Sequence, residues 1–220
     1  MALTKFNYNS FDVTPVASKA MGFNSDADGL TSISSTSMVL IKTLTASGSG
    51  TLSFVHGASD VVLDNTYPIY RFVYTNVHPS ANGAHFTFNG SIDAGSNYNV
   101  TKTTTWFFGY QNETATQTAI TYSTHNDLAQ STDFQILASD IGNGNDESGC
   151  GTLDLYNPSS TTFVKHFISR AHSYNSNDYA NDIYIAGYFN NTNDIDAVQF
   201  KMNSGDIDAG TIKLYGIKDS

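Results

Sequence analysis

Short runs of alternating apolar and polar residues recur along the chain from residue 37 to its end. Val, Ile, Thr, Tyr and Phe dominate these runs, and Gly, Asn, Asp and Pro separate them. Because side chains along a β-strand point alternately to opposite faces, this period is typical of half-buried strands. The predicted strands cover residues 38–44, 51–55, 61–63, 69–77, 84–89, 98–110, 151–156, 161–171 and 182–189, and two more close the chain.

The clearest alternation lies near the C-terminus, between residues 198 and 218. A polar stretch from 203 to 210 divides it into two runs, whose apolar positions are Val198, Phe200, Met202, Ile212 and Leu214. The pattern predicts a hairpin that inserts into the core, with Phe200 and Leu214 inside. Tyr215 and Ile217 are expected on the opposite face, covered by the N-terminal segment or by a neighbouring subunit.

The arrangement of these runs predicts an all-β fold, an antiparallel β-sandwich of the jelly-roll type. Residues 37–220 are expected to form a single domain, which is long enough to bury a core without disulfides. Residues 1–36 carry few periodic signals and are interpreted as an extended N-terminal arm that anchors the protein or forms an interface. The stretch 123–139 is the best candidate for a short helix, with a long loop as its alternative.

The charge balance argues against partners that need a basic surface. The chain has a net charge of −10 and 14% charged residues, so its polarity comes chiefly from Asn, Thr, Ser and Gly. Nucleic acids and anionic membranes bind through Lys and Arg, which acidic residues outnumber two to one here. A neutral polar surface of this kind instead suits hydrogen-bonded, hydrated protein interfaces.

Cys150 is the only cysteine, so no intrachain disulfide and no CxxC redox or metal site is predicted. The first residues lack the apolar core of a signal peptide, and no apolar run reaches the roughly 20 residues that a membrane helix needs. The expectation is therefore a protein that is made in a cytoplasm without a signal peptide.

Catalytic motifs are largely missing from the sequence. It has no G-x-S-x-G, H-E-x-x-H or P-loop pattern, and no pair among its acidic residues stands out for glycoside hydrolysis. His125 and Asp127, with His166 or His172, have the residue types of an iron-binding facial triad. A plain turn explains the first two better, and no enzyme activity is predicted.

Two turns rich in Asp, Asn and Gly, at 24–29 and 142–147, resemble parts of calcium-binding loops. The first has the spacing of the beginning of an EF-hand loop, but Ser35 stands where that loop needs a bidentate Glu. Clusters of this composition are more often plain turns. The sequence therefore predicts no cofactor, with weak Ca²⁺ binding at these acidic turns left as an alternative.

Two stretches offer candidate binding residues. His166, Arg170 and His172 share one face of a predicted strand by period-two alternation. A face with two histidines and an arginine does not fit an apolar core, so it is expected to meet solvent, a subunit interface or a ligand. Tyr174 and Tyr179 lie in a polar stretch that is expected to be a loop, and they are candidates for stacking on a ligand such as a sugar.

Several sequence blocks resemble the structural proteins of tailed bacteriophages, especially aquatic ones. These blocks are residues 195–200, 204–205 and 210–217 near the C-terminus, and 72–79, 95–104, 127–132 and 156–166 upstream. Together they cover most of residues 70–218. The resemblance implies a β-sandwich module on a virion, a homotrimer in a head-decoration or tail-appendage position, and it supplies no catalytic residues.

These observations together favour a non-enzymatic virion structural protein, a capsid decoration or a head or tail appendage. Its expected mode of action is self-association and docking to other virion proteins, after synthesis in the host cytoplasm. The alternative is a receptor- or glycan-binding module of a tail fibre. The expected ligand or interface residues are Tyr174, Tyr179, His166, Arg170, His172, Tyr215 and Ile217.

Overall fold

The computed structural model describes residues 20–23, 30–33 and 37–218. Strands β1 (Ala20–Phe23) and β2 (Leu30–Ile33) pair antiparallel. They belong to a compact unit of their own, and the residues from Met38 onward form a second unit, termed the body. The rest of the predicted N-terminal arm lies outside the described residues.

Twelve strands build the body, and all their pairings are antiparallel. They are β3 (Met38–Thr45), β4 (Leu52–Val55), β5 (Ile69–Pro79), β6 (Ala84–Ser91), β7 (Lys102–Asn112), β8 (Thr118–Tyr122), β9 (Gln135–Ile141), β10 (Gly149–Tyr156), β11 (Lys165–Asn175), β12 (Tyr179–Phe189), β13 (Ala197–Met202) and β14 (Ile207–Ile217). The all-β prediction is therefore confirmed. The strand predicted at 61–63 is wrong, because Val61 and Leu63 reach the core from a loop.

No helix occurs among the residues that the structure describes. The helix predicted in 123–139 is wrong, because this stretch is a loop with isolated turns followed by the first residues of β9. The stretch is rich in Ser, Thr, Asn and Asp, whose side chains can bond to nearby backbone groups and so compete with helix formation. Ser131, for example, accepts a hydrogen bond of 3.0 Å from the backbone N–H of Asp133.

The strands of the body form one sheet that curls into a nearly closed, barrel-like shape. The hydrogen-bonded order is β3-β14-β5-β10-β11-β9-β6-β13-β4, and β12, β7 and β8 continue from β11. β11 is the branch point: β10 pairs with it from Phe167 to Ser173, β9 pairs with it at Asn175, and β12 pairs along its whole length. The sheet therefore divides at β11 into one branch through β9 and another through β12.

The two closing strands do not form the predicted hairpin. β13 pairs with β4 and β6, whereas β14 pairs with β3 and β5. Alternation determines which side chains point to the core but carries no information about the partner strand, so the prediction was right in burial and wrong in pairing. Phe200 and Leu214 are fully buried, and Tyr215 and Ile217 are half-buried on the opposite face.

Phenylalanine side chains from distant strands meet in the core. Phe200 on β13 lies 5.3 Å from Phe72 on β5 and 5.6 Å from Phe86 on β6, measured between ring centroids. Phe54 and Phe88 lie 6.2 and 6.3 Å from the same ring. Aromatic contacts of this kind add to the stabilisation from hydrophobic burial. Because β5 and β13 are far apart in strand order, this cluster holds the curled sheet together.

Two fully buried lysines hold loops against the body. Lys102 Nζ donates hydrogen bonds to the backbone oxygens of Val100, at 3.1 Å, and Asp133. Lys165 Nζ donates a hydrogen bond of 3.3 Å to the backbone oxygen of Asn191. Burial lowers the pKa of Lys102 to about 7, because the charged ammonium is poorly solvated in the interior.

Candidate functional site

Eight strands of the body present a continuous face to the exterior, because each pairs with the next. Their order is β3, β14, β5, β10, β11, β12, β7 and β8. The register places Tyr215 beside Arg71, Arg71 beside Asp154, and Asp154 beside Ile168. Directly paired residues point to the same side of a sheet, so one row of side chains crosses these strands. The side that carries this row is termed the outer face.

The candidate residues of β11 lie on the outer face. His166, Arg170 and His172 are exposed, and the residues between them on the strand's other face are buried. The predicted alternation along this strand is therefore confirmed, and its polar side points outward. Tyr215 and Ile217 of β14 lie on the same face, so candidates from two separate parts of the sequence share one surface.

Large apolar side chains stand exposed on the outer face. Leu40 lies opposite Tyr215, and Met38 lies opposite Ile217. The exposed apolar residues are Met38, Leu40, Phe107, Ile120, Tyr122 and Ile168, with exposed fractions from 41% to 85%. The sequence pattern singled out none of them, although the alternation of β3 could have identified the first two. An exposed apolar surface of this kind marks an interaction site in many proteins.

The central rows of the outer face are balanced in charge, although the chain carries −10. Arg71 contacts Asp154 through two hydrogen bonds of 2.7 Å. Arg170 contacts Asp182 through hydrogen bonds of 3.0 and 2.8 Å. Lys213, which lies beside Val73 of β5, adds a further cation. Electrostatic repulsion therefore does not oppose contact through this face.

Arg170 is held in place from two sides. Its guanidinium lies 5.1 Å from the centre of the Tyr184 ring, and the Tyr184 hydroxyl donates a hydrogen bond of 2.9 Å to Asp182. The Tyr184 ring stacks in turn on Phe107, at 5.0 Å between centroids. Hydrogen bonding to Arg170 lowers the pKa of Asp182, so the pair stays charged at neutral pH. These four side chains form a fixed polar and aromatic cluster.

Tyr174, Tyr179 and His172 line one cleft of about 460 Å³, termed the tyrosine cleft. The Tyr174 hydroxyl donates a hydrogen bond of 2.9 Å to the Glu113 carboxylate, which raises the pKa of Tyr174 to about 12. The Tyr179 hydroxyl donates a hydrogen bond of 2.6 Å to the side-chain oxygen of Gln117. Both tyrosines belong to strands and not to the loop predicted for them.

His166 lies apart from the tyrosine cleft. It lines a larger, open cleft of about 1170 Å³ between residues 65–68 and the loop 157–164. Phe163, in that loop, is 72% exposed. His166 and His172 therefore line different clefts and do not contribute to one site.

Metal ligands do not converge in the described part of the chain. Within it, no group of three or more His, Cys, Asp or Glu side chains is placed to hold an ion. Asp127, a member of the facial-triad hypothesis, accepts a hydrogen bond of 2.6 Å from Tyr122. In the acidic turn 142–147, the Glu147 carboxylate accepts a hydrogen bond from a backbone N–H of the same turn. The acidic turn 24–29 lies outside the described residues.

Comparisons with known proteins give no match. No family model, no curated protein and no solved structure matches this chain. The residues described here also include no helix that is long and apolar enough to cross a membrane. A function for the protein must therefore be argued from the outer face, the clefts and the sequence blocks described above.

Proposed function

We propose that the protein is a non-enzymatic structural subunit of a phage virion, either a capsid decoration or a head or tail appendage. The proposal includes a jelly-roll-like β-sandwich body, a homotrimeric assembly and an N-terminal arm, 1–36, that docks to another virion protein. The resemblance of residues 70–218 to such proteins supports it from the sequence. The character of the outer face supports it from the structure.

The observation that carries this proposal is the exposed apolar surface of the outer face, where two ion pairs are already formed within the subunit. Leu40, Phe107 and Ile168 are removed from water when a second copy covers them, which stabilises the assembly. The two ion pairs of the central rows are complete within one subunit, so covering them leaves neither pair broken, and Lys213 is the remaining cation of these rows. A second copy of this chain offers a surface of the same kind, and it is the proposed partner.

Substitution on the outer face tests the assembly. Light scattering and ultracentrifugation are expected to show that the wild-type protein is a homo-oligomer. Ile168→Glu is expected to be a folded monomer, because the introduced carboxylate would be buried unpaired in the interface. Phe163→Glu is the matched control, since this residue is exposed but lies in the loop 157–164, and it should leave the oligomer intact. A monomeric wild type at all concentrations contradicts the proposed assembly.

The virion assignment has a separate test. Electron microscopy of intact particles, with antibodies against the body, should place the protein on the outside of the head or the tail. Deletion of residues 1–36 is expected to leave a folded body that no longer incorporates into particles. Normal incorporation of the shortened chain would show that this segment is not the anchor.

A receptor- or glycan-binding module is the second candidate function. The convergence of Tyr174, Tyr179 and His172 in one cleft favours it, since aromatic rings with a few polar groups are typical of ligand sites. A glycan array probed with labelled protein tests this function. Binding to no glycan at high protein concentration would rule it out.

A further inference from the structure

A groove lies on the side of β7 and β12 that faces away from the outer face. It has a volume of about 330 Å³ and lies where the β12 branch of the sheet faces the end of β9. Residues of β7, β9, β11 and β12 and of three loops line it. It is termed the amide groove, after the asparagine side chains that line it. The sequence did not predict it, because its residues come from separate stretches of the chain.

Aromatic rings form one wall of the amide groove. Trp106, Phe108 and Tyr110 lie at alternate positions of β7, and neighbouring ring centroids are 4.9 and 5.5 Å apart. Tyr179 of β12 continues the row, 5.6 Å from Tyr110. Because Trp106 is fully buried, the accessible ring surface comes from Phe108, Tyr110 and Tyr179. A row of this kind can stack on a flat apolar face of a ligand.

Two polar side chains in the groove have no hydrogen-bond partner within the described part of the protein. Asn181 of β12 is 3% exposed, Ser139 of β9 is 2% exposed, and both line the groove. Among the described residues, Asp196 Oδ1 is the one fully buried side-chain polar atom without a partner, so the polar atoms of Asn181 and Ser139 are not cut off from solvent. Because both side chains line the groove, the Asn181 amide and the Ser139 hydroxyl are placed to bond a molecule that enters it.

The rim of the groove is polar and nearly uncharged. Asn126, Asn177 and Gln117 contribute amides, and Asp140 contributes the one acidic group among the lining residues, which include no Lys or Arg. A phosphate or carboxylate ligand would meet an anion and no cation, in a chain with a net charge of −10. The groove therefore suits a neutral molecule that has both an apolar face and several hydroxyl groups.

We propose that the amide groove binds a neutral sugar ring of a glycan. The C–H face of the sugar packs on Phe108 and Tyr110, while its hydroxyls bond Asn181 and Ser139. The volume lies at the lower end of the roughly 300–1,000 Å³ of small-molecule sites, so the groove takes a short terminal unit and not a long chain. This inference rests on the second candidate function and assigns its site and its ligand class.

The neighbouring tyrosine cleft is the weaker sugar site. Its Tyr174 hydroxyl is already bonded to Glu113, which lines the same cleft. A ligand that used this hydroxyl would have to displace the bond, whereas Asn181 in the amide groove has none to lose. Tyr179 lines both the tyrosine cleft and the amide groove. This candidate residue from the sequence is therefore also part of the proposed sugar site.

The test uses the full chain with the methyl glycosides of glucose, galactose, mannose and N-acetylglucosamine, and with uracil as a planar competitor that carries no sugar. Saturation-transfer NMR and calorimetry are expected to show binding of at least one glycoside and none of uracil. Asn181→Leu keeps the same number of non-hydrogen atoms in the side chain and should lower the affinity for that glycoside about tenfold. Tyr110→Ala should lower the affinity at least as much. Phe163→Ala, at an exposed loop position that does not line the groove, is the control and should bind like the wild type.

Three results would overturn the assignment: no glycoside binds, uracil binds as well as the glycosides, or Asn181→Leu binds like the wild type. If thermal unfolding shows that Asn181→Leu is not folded, Ser139→Ala replaces it with a smaller change of volume. Glycan-array binding that survives these substitutions would reject this groove but keep the second candidate function. Light scattering on the same samples reports self-association independently.

Discussion

Arg170 on β11 and Asp182 on β12 form a two-point ion pair on the outer face, with Nε–Oδ1 and Nη2–Oδ2 distances of 3.0 and 2.8 Å. Asp182 also accepts a hydrogen bond from the hydroxyl of Tyr184, and the Tyr184 ring lies against the Arg170 guanidinium. Exposed ion pairs contribute little to folding, and the Arg170 side chain is 64% exposed. The pair therefore serves chiefly to keep the outer face neutral and its side chains in fixed positions.

Reversing one charge of this pair should affect assembly more than folding. Arg170→Glu places two carboxylates side by side and leaves unpaired charge in the proposed interface, so we expect the oligomer to dissociate while the melting temperature changes little. Combining Arg170→Glu with Asp182→Arg should restore assembly, measured by sedimentation velocity. If the swapped variant is as defective as the single one, Arg170 acts through its contact with Tyr184 and not through charge.

Phe200 should be among the most sensitive positions for stability. Its ring packs against Phe54, Phe86 and Phe88 of the two neighbouring strands and against Phe72 of the distant β5, so truncation leaves a cavity that the neighbours cannot fill. Phe200→Ala is expected to lower the free energy of unfolding by about 3–5 kcal/mol in urea titrations. Phe163→Ala, at an exposed loop position, should change it by less than about 0.5 kcal/mol. Similar losses for the two variants would contradict this account of the core.

Local alternation predicted most strands of the fold but not their partners. Phe200 and Leu214 were expected in the core and lie there, yet β13 and β14 pair with four other strands instead of with each other. The pairing depends on contacts between residues far apart in sequence, which a period of two does not encode. The failed helix at 123–139 has a related cause. The backbone oxygen of Leu128 accepts a hydrogen bond of 2.8 Å from Thr104 of β7, a tertiary contact that overrides local propensity.

Gly187 of β12 should not tolerate a side chain. A Cβ at this position would lie 2.6 Å from Cγ2 of Thr104 and 2.7 Å from the ring of Phe167. Gly187→Ala is therefore expected to lower the free energy of unfolding by about 1–3 kcal/mol. Gly109→Ala is the matched strand control, because its nearest atoms would be 3.7 and 3.9 Å away, and it should be neutral or slightly stabilising. Chemical denaturation compares the two, and equal losses would mean that steric crowding is not the cause.

Tyr179 and Asn181 show how far the candidate site could be predicted. The polar surroundings of Tyr179 in the sequence pointed to a ligand residue, and the structure places it between two clefts. Asn181 occupies a buried position of the alternating strand β12, where the pattern gives no reason to single out one amide among many. It lines the groove only because β7, β9 and β12 converge, and such convergence is a property of the tertiary fold.

Lys102 should give the folded protein a measurable pH dependence. Its pKa is about 7 in the folded state and about 10.4 in an unfolded chain, so between these values the unfolded state binds more protons. The contribution of this group to the free energy of unfolding therefore rises as the pH rises from about 7 to about 10, and it is constant below that range. Lys102→Met should reduce this rise, measured by urea unfolding at each pH, and leave the part that Lys165 contributes, since burial also lowers the pKa of Lys165. Lys201→Met, in which Lys102 is intact, should keep it. A rise that persists in Lys102→Met would have to come from other groups.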